Sequence, residues 1–313
     1  MPPSFDSYSM TVLPLEAAHA MNSSGVIAGT TGGNAAIYRE GNVVVLPGQA
    51  GYTALAATAI SDNGIIAGHG LSAGHQRPLY WANETAAPRD MGALSNWVWC
   101  RAVNTHGVVV GSFEQRPSQL GQGQAFRWSL AEGLRVIVPE QTSRSVAVDI
   151  SESGYVTGHG DYPSDGMHAV RWYPNGGIGR IALGYGQQVF EDGGVAGQGA
   201  GGAFGQSTRW SLENAATLIG PYPASHLVRH TSRAGRRVGF TVGVTETGQT
   251  GAWTTARDGA PPEYLPVPAG ATGYALAVSA GGAIMGSVKL ANGQDQPVLW
   301  TKLTVDIEPP IVH

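Results

Sequence analysis

The sequence contains little charge and a single cysteine. Asp, Glu, Lys and Arg make up 13% of its 313 residues, and the formal net charge is −4 at pH 7. A chain with this balance lacks the basic field that attracts nucleic acid, so we expect no nucleic-acid partner. Cys100 is the only cysteine, which excludes a disulfide within the chain.

Signals for membranes and export are also missing. No segment approaches the roughly 18 to 20 consecutive apolar residues of a membrane span. The N-terminal segment MPPSFDSYSM lacks the positively charged start of a secretory signal. We therefore predict a cytoplasmic protein with no membrane partner, and we expect a monomer.

The common metal-binding and nucleotide-binding motifs do not occur. The sequence has no HExxH, CxxC or Walker pattern, which leaves zinc-protease and P-loop functions without support. Its one GxSxG match, Gly70 to Gly74, is not followed by a helical pattern, so it does not support an α/β-hydrolase. The nine histidines are dispersed along the chain. We therefore expect neither a metal site nor a cofactor.

The sequence does contain a repeat. Seven segments combine a small or apolar residue, a polar turn ending in glycine, a short apolar pair and a second glycine: AMNSSGVIAG, AISDNGIIAG, AVNTHGVVVG, DISESGYVTG, FEDGGVAG, TSRAGRRVG and AVSAGGAIMG. Their turn glycines are Gly25, Gly64, Gly107, Gly154, Gly194, Gly235 and Gly282, at intervals of 39, 43, 47, 40, 41 and 47 residues. A period near 40 without a helical pattern predicts a propeller or a solenoid.

Each repeat predicts four antiparallel strands. In the second repeat, Ala57–Ile60 and Ile65–Gly68 flank the turn, Arg77–Trp81 forms a third strand, and a fourth follows a polar turn. Seven such units predict an all-β, seven-bladed β-propeller in a single domain, residues 1–313. Its repeats start near residues 18, 57, 100, 147, 187, 228 and 275. Residues 7–14 match a fourth strand without a blade, so we expect them to close the ring as the outer strand of the last blade.

Two positions of the repeat fit this geometry. One aligned position at the start of the first strand is occupied by Ala18, Ala57, Cys100, Ala147 and Ala275, with Gln187 and Val228 as departures. Small residues suit the crowded axis of a propeller. Larger residues end the third strand, namely Trp81, Trp128, Trp172, Trp210 and Trp300, and we expect them to fill the wider space between blades.

The repeat resembles a known family. The segment from Ala147 to Gly158, followed by His168-Ala169-Val170-Arg171-Trp172, is similar to the HAF-type repeats of bacterial proteins. The resemblance extends over nearly the whole chain and implies a β-propeller scaffold. It implies no catalytic residues, because no single activity belongs to the family. The segments FEDGGVAG and TSRAGRRVG depart from the pattern.

The longer loops indicate where a site would lie. Loops before the first strand and after the second strand gather on one face, and they are rich in aromatic residues. The candidate ligand-binding residues are Tyr52, Trp97, Trp99, Arg101, Phe113, Tyr185, Gln188, Tyr222, Arg229 and Tyr274. Arg101 and Arg229 suit a carboxylate or a phosphate. The alternatives are blade packing for the aromatic residues and, for the arginines, either ion pairs with Asp149, Glu191 or Asp192 or simple solvation in the channel.

Three functions fit this pattern. The first is a binding propeller whose aromatic, arginine-containing channel mouth holds a peptide or a small aromatic natural product, in a biosynthetic pathway. The second is an enzyme, a cyclase, isomerase or lyase, that uses the same mouth for acid/base chemistry. Its candidate catalytic residues are His19, His69, His159, Glu114 and Arg101. The third is a purely structural interaction protein.

Overall fold

The described chain consists of strands and turns. A computed structural model describes residues 8–92, 97–114, 123–199, 206–219, 226–232, 235–241, 251–255 and 260–303. Within these ranges the chain forms 27 strands, no helix and six antiparallel sheets. The prediction of an all-β fold made of four-stranded antiparallel units is confirmed.

Four of the sheets are formed by consecutive strands. They contain β2 Ala17–Met21, β3 Ile27–Thr31, β4 Asn34–Arg39 and β5 Asn42–Val45; β6 Thr53–Ile60, β7 Ile66–Ser72, β8 His75–Trp81 and β9 Arg89–Asp90; β10 Trp97–Val103, β11 Val109–Glu114, β12 Gln124–Ser129 and β13 Gly133–Val136; and β21 His226–Thr231, β22 Arg237–Thr241, β23 Ala252–Thr254 and β24 Glu263–Tyr264. Each sheet corresponds to one repeat of the sequence.

A fifth sheet has seven strands because two units share one strand. It contains β14 Arg144–Ile150, β15 Val156–Tyr162, β16 Gly166–Trp172, β17 Ile178–Val189, β18 Val195–Gly199, β19 Gln206–Trp210 and β20 Ala216–Leu218. Residues 178–183 of β17 pair with β16, and residues 184–189 pair with β18. The first half of β17 is therefore the outer strand of one unit, and the second half is the first strand of the next.

The sixth sheet joins the two ends of the described chain. It contains β25 Thr272–Val278, β26 Ile284–Lys289 and β27 Asp295–Lys302, and its outer strand is β1 Tyr8–Val12. The pairing of β1 with β27 is antiparallel, with Met10 opposite Trp300. Leu13 extends the pairing by donating its N–H to the Pro297 carbonyl at 2.9 Å.

Every first strand has a bulge at the same place. The pairing register shifts by one residue directly after the aligned small residue, which leaves the next residue without a partner on the second strand. These bulge residues are His19, Thr58, Arg101, Val148, Gln187, Arg229 and Leu276. The strand β6 has a further irregularity between Thr53 and Ala56.

The bulge explains the second glycine of the repeat. That glycine lies opposite the aligned small residue, as in the pairs Ala57 with Gly68 and Ala147 with Gly158. A Cβ atom on Gly158 would lie 1.8 Å from the carbonyl oxygen of Val146, and the other six units show the same close approach, at 1.7 to 2.1 Å. Only glycine fits this position without displacing the first strand.

The fifth unit corrects two predicted positions. Its turn glycine is Gly193, with φ of +76°, and not Gly194, so the segment follows the same four-residue spacing to its second glycine as the others. The aligned small residue is Gly186, which lies opposite Gly197, and Gln187 is the bulge residue. The sequence alignment of this unit was shifted by one residue, so it placed Gln187 where the small residue Gly186 lies.

The turns between first and second strands link neighbouring units. Hydrogen bonds run from Ala280 N to Ser23 O, Ser23 N to Asp62 Oδ1, Asn63 Nδ2 to Thr105 O, Thr105 N to Glu152 Oε2, Ser153 N to Glu191 Oε2, Gln188 Nε2 to Thr231 O and Val278 N to His230 Nδ1, with lengths from 2.8 to 3.3 Å. These contacts connect each unit to the next, and the last unit to the first.

Tryptophans form much of the core. Trp81, Trp128, Trp172, Trp210 and Trp300 are all buried. The Trp81 indole N–H donates to Pro47 O at 2.9 Å, and the Trp300 indole donates to Pro266 O at 2.7 Å, so both reach the segment after the fourth strand of the preceding unit. This placement agrees with the prediction that these tryptophans fill the space between neighbouring units.

No helix in the part of the chain that the structure describes has both the length and the hydrophobicity of a membrane-spanning segment.

Candidate functional site

A cavity of about 390 Å³ lies where three consecutive units meet, on the face where first strands begin and second strands end. We call it the upper cavity. Its lining comprises Trp99, Arg101, Ser112, Glu114, Gly123, Arg144, Val146, His159, Met167 and Tyr185. Five of these, namely Trp99, Arg101, Glu114, His159 and Tyr185, are residues singled out from the sequence.

The apolar wall of the upper cavity follows from the repeat. Trp99, Val146 and Tyr185 each precede the aligned small residue of their unit, so they occupy one level of three consecutive first strands. Trp97 is two residues before Trp99 and lies on the same side of β10. The two indoles stack at 6.5 Å between ring centroids, with an angle of 20° between planes.

The upper cavity contains two guanidinium groups with different surroundings. Arg144 forms an ion pair with Asp161, with Nε to Oδ2 at 3.4 Å. Arg101 is the bulge residue of β10, and within the described ranges it has no ion pair and no side-chain hydrogen bond. Its side chain is accessible to water but closely surrounded by protein, which lowers the pKa of Arg101.

The imidazole of His159 is neutral at physiological pH. Burial, followed by the positive charges of Arg144 and Arg101, lowers the pKa of His159 to about 4. The ring packs edge-on against Tyr185 at 5.1 Å between centroids. Its Nδ1 atom is buried and has no hydrogen-bond partner among the described residues.

Glu114 lines the upper cavity and carries a second buried polar atom without a hydrogen-bond partner among the described residues. It is the last residue of β11 and lies opposite Trp97. Its Oε2 atom is buried and, within the described ranges, accepts no hydrogen bond.

His19 and His69 lie outside the cavity lining. Burial, with smaller contributions from His19 and Arg101, lowers the pKa of His69 to about 4, and burial also lowers the pKa of His19. His69 Nδ1 is buried without a hydrogen-bond partner among the described residues. His19 and His69 belong to the first two units, whereas the lining comes from the next three.

Three candidate ligand-binding residues do not line the upper cavity. Phe113 is 3% exposed and packs in the hydrophobic core of its unit. Gln188 bridges to the next unit through both amide atoms, which bond to Thr231 N and O at 2.9 Å. The Tyr52 hydroxyl donates to Asp90, and the Tyr52 ring packs against the hydrophobic core between the first two units.

Two of the remaining candidates, Tyr274 and Arg229, belong to the last two units, and neither lines the upper cavity. Tyr274 packs edge-on against Phe240, with centroids 5.1 Å apart. Arg229 is a bulge residue whose Nη1 donates to the Gln187 amide oxygen at 3.3 Å, and burial lowers its pKa. Tyr222 lies outside the described residues.

The alternative ion pairs predicted for the arginines do not form among the described residues. Asp192 pairs with Arg209 at 3.0 Å, and the Glu191 carboxylate accepts N–H groups from Glu152 and Ser153. Asp149 accepts the Val189 N–H at 2.8 Å. The carboxylates are therefore used in other contacts.

Sequence reasoning missed Ser112, Arg144, Val146 and Met167. Two of them were accessible from the repeat, because Arg144 and Val146 occupy the positions of Trp97 and Trp99 in the next unit. Ser112 and Met167 carry no pattern that marks them.

A second cavity, of about 260 Å³, lies at the opposite end, among the turns. We call it the lower cavity. Its lining includes Asp62, Asp149, Glu152, Glu191 and His230. Burial, together with the charge of Glu191, raises the pKa of Asp149 to about 6, despite opposing hydrogen bonds from Val189 and Ile150. Burial lowers the pKa of His230 to about 4.

Comparisons with known proteins address the fold. No family model matches the chain, and no curated protein matches its sequence. The chain is similar to the structure of YCF48 bound to D1 peptide, with 13% identity over 98% of both chains and a TM-score of 0.58. It is also similar to a puromycin hydrolase mutant complexed with PGG, with 11% identity over 93% of this chain and a TM-score of 0.52.

The match to TolB from Acinetobacter baumannii has 10% identity over 96% of this chain and a TM-score of 0.49. The chain covers 65% of that TolB and 49% of the puromycin hydrolase. At these identities the matches to YCF48 and to the hydrolase describe architecture and not activity. Together with the four-stranded antiparallel units, they show that this chain has a β-propeller fold.

Proposed function

We propose that the chain is a ligand-binding propeller whose upper cavity holds a peptide or a small aromatic natural product that carries a carboxylate. The observation behind this proposal is the guanidinium of Arg101, which has no acidic partner among the described residues and lies beside Trp99 and Tyr185. A planar guanidinium binds a carboxylate through two parallel hydrogen bonds. Rigid aromatic walls add contact area at low entropic cost.

We also propose that the seven units form one closed ring. The pairing of β1 with β27 and the bonds between successive turns support a closed ring of seven blades. The membership in the HAF-type repeat proteins, the cytoplasmic location and the monomeric state stay predictions. The structure of YCF48 contains a bound peptide, which makes peptides the first class of ligand to test.

The test is calorimetric titration with the tripeptides Ala-Xaa-Ala, where Xaa is Phe, Tyr, Trp or Leu, and with their C-terminal amides. We expect Arg101→Ala and Trp99→Ala each to weaken binding of the aromatic free acids by about 1–3 kcal/mol. Arg101→Lys should also lose affinity, because an ammonium group does not reproduce the planar fork. Arg209→Ala is the matched control, since Arg209 pairs with Asp192 outside the upper cavity.

The proposal predicts that the aromatic acids bind more tightly than their amides and more tightly than the Leu peptide. Equal affinity of wild type and Arg101→Ala for the acids would contradict the carboxylate site. Failure of every peptide to bind with a Kd below about 1 mM would remove peptides as the ligand class. Melting curves of the variants check that the fold is retained.

An enzyme remains the second candidate because Glu114 Oε2 and His159 Nδ1 are buried, unpartnered among the described residues and in one cavity. Such groups suit proton transfer in a cyclase, isomerase or lyase. Mass spectrometry of wild type incubated with a bound compound tests this function. A changed product that disappears in Glu114→Gln or His159→Ala, with binding retained, would favour the enzyme.

A further inference from the structure

We infer that the upper cavity recognises both ends of a short free peptide, with its α-ammonium group on Glu114 and its α-carboxylate on Arg101. This inference rests on the proposed function and narrows its ligand to an unblocked peptide with an aromatic residue. The two contacts come from different observations.

The case for the ammonium group begins with the Glu114 carboxylate. Its Oε2 atom is buried, yet no described residue donates a hydrogen bond to it. Among the described residues, no Lys, Arg or His nitrogen lies within 4.0 Å of Glu114. A buried carboxylate oxygen is costly when it stays unpaired, and a ligand ammonium supplies both the charge and the donors.

The other ionisable groups of the upper cavity do not compensate the charges of Glu114 and Arg101. The Arg144 guanidinium is balanced by Asp161 at 3.4 Å, and His159 is neutral because its pKa lies near 4. What remains is one uncompensated group of each sign, Glu114 and Arg101. A zwitterion neutralises both, whereas a simple anion would leave Glu114 unpaired.

The register of β10 and β11 sets the length of the ligand. Glu114 lies opposite Trp97, and Arg101 is four residues further along β10. At about 3.3 Å per residue, the two backbone positions are roughly 13 Å apart, and both residues line the cavity between them. An extended tripeptide covers about 10 Å. Trp99 lies between the two charges, at the level of Tyr185. We therefore expect the aromatic residue to be the central residue of the tripeptide.

The experiment uses full-length protein and three probes: Ala-Phe-Ala, its N-acetyl form and its C-terminal amide. Calorimetry of wild type should give the tightest binding for the unblocked peptide, with a loss of about 10- to 100-fold for either blocked form. Glu114→Gln should weaken the unblocked peptide by the same factor and leave the N-acetyl peptide within about twofold of wild type. Arg101→Ala should weaken the unblocked peptide by the same factor and leave the C-terminal amide within about twofold of wild type.

Glu132→Gln is the control variant, because Glu132 is an exposed carboxylate in the turn between β12 and β13 of the same unit. We expect it to bind all three probes like wild type, and an unchanged melting curve of Glu114→Gln verifies its fold. Equal binding of the unblocked and N-acetyl peptides, unaffected by Glu114→Gln, would overturn the ammonium contact and leave carboxylate binding intact. Absence of binding by every probe would overturn this inference, and the wider peptide series above then decides whether peptides are the ligand class at all.

Discussion

At the residue scale, two kinds of glycine perform different tasks in one repeat. Gly64 and Gly154 have φ of +84° and +88°, as the predicted turn requires, and no backbone crowds them. Gly158 has an ordinary φ, but a Cβ there would meet the Val146 carbonyl oxygen at 1.8 Å. The sequence pattern marks both positions equally, and only the bulge reveals why the second one is glycine.

Gly158→Ala should therefore destabilise the protein strongly. The added methyl group must displace the first strand at its bulge, and overpacking of this kind costs about 1–3 kcal/mol. Urea unfolding followed by tryptophan fluorescence measures the change. Gly281→Ala is the control, because its Cβ would have only an ordinary contact, with Ser279 Oγ at 3.9 Å, and we expect a change within about 0.5 kcal/mol. Equal stability of the two variants would disprove the steric argument.

Asp149 gives a pH-dependent prediction. Its pKa is raised to about 6 from 3.8, so the folded state holds the proton more tightly than the unfolded state does. The stability linked to this proton is complete below about pH 4 and is lost as the pH rises through 6. Asp149→Asn removes the charge and keeps an oxygen for the Val189 N–H. We expect it to be more stable than wild type at pH 8 by about 1–3 kcal/mol.

The gain from Asp149→Asn should fall to a small remainder near pH 4, where Asp149 is protonated in the folded state and about half ionised in the unfolded state. Urea unfolding at pH 4 and pH 8 measures the difference directly. Asp295→Asn, at an exposed position at the start of β27, should show no such dependence. If the free energies of unfolding of Asp149→Asn and wild type differ by the same amount at both pH values, burial does not raise the pKa of Asp149.

At the scale of elements, the sequence predicted strands better than their connections. The fourth strand predicted for the fourth repeat and the first strand predicted near residue 187 are one strand, β17. Gly184 and Gly186 lie within β17, and a Cβ at either would meet backbone of the neighbouring strands at 1.9 and 2.7 Å. These glycines allow close contact between strands, which local turn preferences do not describe.

The N-terminal strand carries a prediction of its own. Deleting residues 1–14 removes β1 from the edge of β27 and also removes Leu13, which is 2% exposed. We expect the melting temperature to fall by at least about 4 °C, because edge hydrogen bonds and buried apolar area are lost together. Deletion of residues 1–7 alone, which leaves β1 in place, is the control. If both variants melt like wild type, the pairing of β1 does not stabilise the last unit.

At the scale of the whole molecule, the repeat located one face for the site but not the orientation of each side chain. Phe113 and Glu114 are neighbours on β11, so they point to opposite sides of the strand, and only Glu114 lines the upper cavity. Tyr52 is fixed by Asp90, a residue 38 positions away that belongs to no repeated pattern. The alternation of side chains along a strand explains why Glu114, and not Phe113, lines the cavity. A specific long-range hydrogen bond explains the position of Tyr52.

The seven bulges have a consequence for how such a protein changes over generations. Each bulge is set by backbone pairing and by the glycine opposite, so its geometry does not depend on the side chain that it carries. This chain already has His, Thr, Arg, Val, Gln, Arg and Leu at these positions. Duplicated copies of the repeat can therefore diverge at one codon each and alter the chemistry around the axis, while the sheets and the tryptophan core are inherited unchanged.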